Sequence, residues 1–239
     1  MSRYEDIQAH LWIADKSLER IESSYQISLK DREILPQLKI EIKNYLENLR
    51  SVLDYLANEI NERYCSKKTK VYFPTSCYNH NAFASYMRRY FPGLQVAKKD
   101  IYDKFESFQS YVPKAPKCLP LFASLVNENK HDRLSPQTRT EKRGLKIDFS
   151  GGGGITLGPG ARITGTGSII SGGHVLDFGG KTISGDSPAE YVPETIKQTV
   201  IIWVGFRFDA IDREALPFLK EIISVVRNIT RDLSQDLWP

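Results

Sequence analysis

Four residues near the middle of the chain, Asn127, Lys130, His131 and Arg133, place an amide, an ammonium, an imidazole and a guanidinium within seven positions. Cleaving a phosphodiester in RNA needs an acceptor for the 2′-hydroxyl proton, a donor for the leaving oxygen, and cations for the charge that develops around phosphorus. An imidazole with an ordinary pKa of about 6.5 can fill the first two roles in turn. Arginine or lysine can fill the third. The same residues have a plainer use, since cations in the last turn of a helix complement its dipole. A second pair, Arg50 and Asp54, sits one helical turn apart beside Leu49, Leu53 and Leu56. At that spacing it is either a weak surface ion pair or a partly buried pair that orients a site. The candidate site therefore has His131, Arg50 and Arg133 as catalytic groups, with Lys130, Asn127 and Asp54 binding phosphate or orienting the others.

Other chemistries are not supported by spacing. Gly179-Gly180-Lys181-Thr182 ends like a phosphate-binding loop, but Val175 stands where its first glycine belongs and the following residues read as strand. Gly165-Thr166-Gly167 lacks the third glycine of a dinucleotide fingerprint, because Ile170 occupies that place. Cys65, Cys77 and His80 contain only one close pair, which is too few ligands for a tetrahedral zinc site. Neither a metal nor a cofactor is expected.

The elements that would carry the candidate site are legible in the hydrophobic period. Ile7, Leu11, Ala14, Leu18, Ile21 and Tyr25 draw one helical stripe, and Leu35, Leu38, Ile42, Leu46, Leu49, Leu53, Leu56 and Ile60 draw a longer one with Pro36 in its first turn. The two helices should pack antiparallel across a short polar link. Shorter helices are predicted over Asn81–Tyr90 and Lys99–Tyr111, stopped by Pro92-Gly93 and Pro113, and a third core helix over Leu121–Val126 that ends near the polar run holding His131. Fourteen of the 16 glycines lie between Gly144 and Gly185, alternating with short β-branched pieces, which reads as a compact antiparallel sheet. Val200–Phe208 reads as a strand, and Ala215–Leu233 as an amphipathic helix that returns to the first two. The expected fold is mainly α (α+β): an antiparallel helical bundle with an inserted small glycine-rich antiparallel sheet. Its parts are 1–143, the β insert 144–210, and a completing helix over 211–239.

Composition bounds the partners. Residues 63–146 hold 17 Lys/Arg against 6 Asp/Glu, while the flanking segments are net acidic and the whole chain is only +4. That asymmetry favours RNA or another polyanion. No apolar run is long enough to span a bilayer, and MSRYEDIQAH lacks the apolar core of a signal peptide, so a cytoplasmic protein away from membranes is expected. Three widely spaced cysteines, Cys65, Cys77 and Cys118, are expected to be reduced.

The run Asn48-Leu49-Arg50-Ser51-Val52-Leu53-Asp54-Tyr55-Leu56-Ala57, the later Phe73-Pro74, and Asn129-Lys130-His131-Asp132-Arg133 together resemble a group of bacterial proteins in which an LRSALDYLA helix precedes a Lys-His-Arg run. The resemblance spans about residues 40–135. More distantly the helical arrangement is similar to HEPN-type domains. That likeness implies a helical bundle, homodimers, and metal-independent ribonuclease activity in defence or toxin systems. Such domains carry an arginine, a polar residue, three variable positions and a histidine. With His131 in the histidine place, Asn127 fills the polar place but Val126 stands where the arginine belongs. Arg50 or Arg133 would have to supply the guanidinium. The other class of function open to this sequence is a non-enzymatic interaction or dimerisation module.

Overall fold

The structure is a computed structural model that describes residues 3–31, 34–131, 134, 136–149, 152–171, 174–190, 192–193 and 196–238. The side chains of Gln26, Leu29, Lys30, Asp31, His131, Ser171, His174, Trp203 and Val204 are outside that description. The fold class is α+β, with helix at 53% and strand at 19%, so the β part is larger than the small insert expected. Two compact units divide the chain. One comprises residues 1–138 and 206–239, the other residues 139–205.

In the first unit, α1 (Arg3–Asp31) and α2 (Pro36–Tyr64) follow the two stripes read from the sequence. Pro36 begins α2, where its missing N–H costs no hydrogen bond. The helices run antiparallel. Arg3 near the start of α1 pairs with Glu59 and Glu62 near the end of α2, His10 meets Asn48, and Arg20 faces Glu41. The last helix, α7 (Ala215–Leu237), is also antiparallel to α1, with Lys220 on Glu22, Arg227 on Asp15, and Trp238 beside Tyr4. Its stripe of Leu219, Ile222, Val226, Ile229 and Leu233 is buried with Leu46, Leu49 and Leu53 of α2 in one core. Tyr45 Oη donates to the Leu219 carbonyl at 2.7 Å, so a buried phenol finds a partner where α2 crosses α7.

The shorter helices differ from expectation in their ends. α3 (His80–Tyr90) begins at a true cap, since Asn79 Oδ1 accepts the Ala82 N–H at 2.8 Å. A single turn, α4 (Leu94–Ala97), follows Gly93, whose φ of +86° is a left-handed conformation that glycine adopts without strain. α5 (Lys99–Ser107) stops four residues short of the predicted Tyr111, and the chain continues in turns toward Pro116. α6 (Cys118–His131) is longer than the Leu121–Val126 segment predicted, because Pro120 lies in its first turn and does not interrupt it.

The second unit has its own apolar centre, formed by Leu145, Ile147, Phe149, Leu157, Leu176, Phe178, Ile183, Val192 and Ile196. The strand β1 (Gln137–Asp148) enters it and pairs antiparallel with β2 (Gly154–Leu157), Leu145 opposite Leu157. Leu145, Ile147 and Phe149 alternate inward at strand period. The strand's first half, Gln137–Arg143, is polar and was not read as a strand from the sequence. Next, β3 (Arg162–Thr164) and β6 (Thr182–Ser184) form the base of a long hairpin, and β4 (Ser168–Ser171) and β5 (His174–Asp177) its upper part. Between them Gly179 and Gly180 both take positive φ, and Gly180 N–H still bonds the Gly165 carbonyl at 2.9 Å. The Gly179-Gly180-Lys181-Thr182 run thus turns the chain into β6, with no phosphate-binding helix after it. β7 (Lys197–Phe208), whose last three residues belong to the first unit, lies beside β1 in a sheet of order β2-β1-β7-β8, where β8 is Arg213–Glu214.

Among the described residues no helix is long and apolar enough to cross a membrane.

Candidate functional site

The segment between α2 and α3 is extended and lies back along α2, held by a ladder of polar side chains. Asn61 Oδ1 accepts the Thr69 N–H at 3.1 Å. Asn58 accepts the Val71 N–H at 3.1 Å and donates to the Val71 carbonyl at 2.8 Å. Asp54 Oδ1 accepts the Phe73 N–H at 2.9 Å, and Arg50 Nη2 donates to the Phe73 carbonyl at 3.3 Å. Arg50 Nη1 then reaches Thr75 Oγ1 at 3.1 Å. The match is geometric. Two residues of extended chain advance roughly 6.6 Å, and one turn of helix roughly 5.4 Å, so alternate strap residues meet successive turns of α2. Asp54, Asn58 and Asn61 stand on one face at steps of four and three for this reason.

The ladder buries Val71 and Phe73 and turns Tyr72 outward. Phe73 packs at 5.1 Å from Phe105 and 6.5 Å from Phe108. Gln109 Nε2 donates to the Pro74 carbonyl at 3.0 Å, which secures the strap from its other side.

Above this strap opens a cleft of about 500 Å³. Arg50 and Asp54 of α2 form one wall, the strap from Tyr72 to Tyr78 another, and Tyr86 of α3 a third. Ala123, Val126, Asn127 and Lys130 of α6 close it, spaced so that all four share one helical face. Four of the six residues selected from the sequence, Arg50, Asp54, Asn127 and Lys130, therefore line a single cleft, although about 75 positions separate the two pairs. Of the other two, Arg133 lies outside the described residues, and His131 is described only as the last residue of α6.

The charges in the cleft are unequal. Arg50 Nε donates to Asp54 Oδ2 at 3.1 Å, so these two form a partly buried pair and not a surface one. Three of the five guanidinium N–H groups are bonded to protein, which leaves one on each Nη. Burial pushes the Asp54 carboxyl above the usual carboxylate range, opposed by the Arg50 charge, the Phe73 N–H and the more distant Lys130 ammonium. Among the described residues, Asn127 and Lys130 make no hydrogen bond to other side chains or backbone. The site thus has a fixed guanidinium, an ammonium and an amide against one carboxylate that is already engaged. Such a set of donors can bond an anion with several acceptor oxygens.

The side chains of His10 and His80 are elsewhere. His10 Nδ1 is 3.2 Å from Asn48 Oδ1, and His80 Nδ1 is 2.6 Å from Glu106 Oε1, which also accepts from Tyr111 at 2.6 Å. Cys65 and Cys77 are buried free thiols, and among the described residues no three His, Cys, Asp or Glu side chains gather as a metal site would require.

Sequence reasoning missed Asn58, Asn61, Tyr72, Thr75, Tyr78 and Tyr86. The helical spacing of Asp54, Asn58 and Asn61 was a visible signal, because three short polar groups beside an apolar stripe need partners. The tyrosines carried none, since their convergence depends on how α3 and the strap fold over α2. The basic segment 63–146 is also divided by the fold. Arg139, Lys142, Arg143 and Lys146 belong to the second unit, which leaves residues 63–138 with 13 Lys/Arg against 5 Asp/Glu in the first.

Comparison of the chain with protein-family models, with curated proteins and with solved structures finds no match.

Proposed function

We propose that this is an HEPN-like RNA-binding protein, an antiparallel helical bundle carrying an inserted glycine-rich sheet, whose Arg50 cleft seats a backbone phosphate and whose His131 cleaves the adjoining bond without a metal. The observation that supports it is the convergence of Arg50, Asn127 and Lys130 on one cleft. Val126, which stands where the HEPN pattern has its arginine, lines that same cleft. A guanidinium supplied from α2 replaces one supplied from α6. Held by three protein hydrogen bonds, Arg50 cannot turn away from an incoming phosphate, and the two remaining N–H groups can bond it without further ordering. Lys130 adds charge, and Asn127 a neutral donor. His131 follows Lys130 directly and comes four residues after Asn127 at the end of α6, and in this reading its imidazole is the proton acceptor and then the donor.

The test is cleavage of labelled RNA in EDTA by the wild type, His131→Ala and Lys130→Ala. Loss of His131 should slow cleavage by about 10²-fold or more with little change in melting temperature. Lys130→Ala should weaken binding and reduce its salt dependence. Equal cleavage by wild type and His131→Ala, or none by either, removes the ribonuclease.

One observation favours a second reading, a non-enzymatic interaction module. Arg50 and Asp54 clasp the Phe73 backbone and Arg50 also holds the Thr75 hydroxyl, which is a sufficient structural reason for both residues. In that case Arg50→Ala lowers stability by roughly 2–4 kcal/mol, because it strands a part-buried carboxylate, and RNA affinity measured on the folded fraction does not change.

A further inference from the structure

The cleft holds more than a phosphate requires. Tyr72 and Tyr78 both line it, Tyr72 with 52% and Tyr78 with 77% of its surface exposed, so that Tyr78 in particular is more open than tyrosine ordinarily is. Both rings stand on fixed backbone. On either side of Tyr72, Val71 is bonded twice by Asn58 and Phe73 once by Asp54, and the Tyr72 carbonyl accepts the Tyr86 hydroxyl at 2.9 Å. Tyr78 directly precedes Asn79, whose side chain caps α3. Neither residue belongs to the core, and both line the cleft that Arg50 also lines. From this we infer that the cleft takes an unpaired nucleotide, its base stacked on Tyr72 or Tyr78 and its phosphate against Arg50 and Lys130. The inference rests on the phosphate reading of the cleft and adds the base to it.

The physical case is one of access. In a duplex the base faces are already stacked on one another, and A-form RNA offers a protein chiefly its phosphates and 2′-hydroxyls. A single strand offers a π-face at every nucleotide, and stacking on an aromatic side chain tolerates any base. The volume of about 500 Å³ falls in the range of small-ligand sites and is adequate for one nucleoside phosphate.

Fluorescence anisotropy with three probes decides the matter: a labelled single-stranded octanucleotide of mixed sequence, the same octanucleotide with its central bases removed, and the same sequence closed in a duplex. The single strand should bind about 10-fold or more tightly than either of the others, the usual magnitude of one or two stacking contacts. Tyr78→Ala or Tyr72→Ala should erase that preference, with the matching change to phenylalanine restoring it. Melting temperatures should be unaffected, since both rings are exposed. Lys130→Ala should lower affinity for all three probes together. If the abasic and duplex probes bind as well as the single strand, and all depend on Lys130, the stacking proposal is overturned while the phosphate site stands. Absence of binding to every probe overturns both.

Discussion

At the scale of the residue, Arg50 shows how one side chain can be bonded into the fold and still keep donors to spare. Its Nε and two Nη donors hold Asp54, Phe73 and Thr75, and what remains of the guanidinium faces the cleft. Lysine would not substitute, because an ammonium has three donors on one atom and cannot reach three separated acceptors. The three cysteines have the opposite character. Cys65 and Cys118 are buried, and burial raises their thiols to about 11 and about 12, while Cys77 is pushed up in the same direction. Thiolate is the reactive form, so the folded protein at pH 8 should react slowly with a thiol reagent and the denatured protein should react at all three positions. The same shifts set a sign for stability. Folded thiols hold their protons above the unfolded value of about 9, so the stability they contribute is complete below pH 9 and is lost as pH rises toward 11 and 12. Denaturant midpoints that hold steady from pH 8.5 to 11, or rapid labelling of two or more native thiols, would contradict this.

At the scale of the element, the strap and its ladder decide whether the cleft exists. Asn58 makes two bonds to Val71, whose side chain is fully buried, so Asn58→Ala leaves an N–H and a carbonyl without partners in a dry setting. The expected cost is about 1–3 kcal/mol, read as a lower denaturant midpoint at unchanged slope. Asn58→Asp keeps the acceptor and should recover part of it. A midpoint within error of the wild type for Asn58→Ala would mean that water replaces the asparagine and that the strap is not anchored there. The long helices were legible in the sequence because their stripes repeat over many turns, and so was the grouping of Arg50 and Asp54, a single-turn spacing. The extent of α6 was not, since Pro120 reads as a stop unless its first-turn position is known. Nor was the first half of β1, where the polar residues of Gln137–Arg143 give no period-two signal. The cleft itself was legible only as two separate fragments. What unites them is the packing of α6 against α2, and neither segment encodes that in its own pattern.

At the scale of the whole molecule, the chain forms two apolar centres, one in each unit, and passes from one unit to the other twice. All the residues assigned to the cleft lie in the first unit, and the glycine-rich strands bury a core of their own. The helical unit should therefore fold without residues 139–205. The geometry of the junction makes this a mild operation, because the Asp209 N–H bonds the Pro136 carbonyl at 3.1 Å and the outgoing and returning chains are neighbours there. A Gly/Ser link of about four residues between Thr138 and Phe206 can close that gap, and a shorter loop costs slightly less entropy than the segment it replaces. Phe206 and Phe208 must be kept, since both are buried in the helical core and Tyr25 Oη bonds the Phe206 backbone on both sides, at 2.7 Å from its N–H and 3.1 Å from its carbonyl. The shortened protein should show one cooperative thermal transition and helical circular dichroism increased per residue. It should also bind single-stranded RNA within about threefold of the full chain, its salt dependence reduced no further than by the seven Lys/Arg lost with residues 139–205. A broad, non-cooperative melt would show that the helical unit draws stability from the sheet. A cooperative melt with RNA binding abolished would move the nucleic-acid surface out of the cleft and onto residues 139–205.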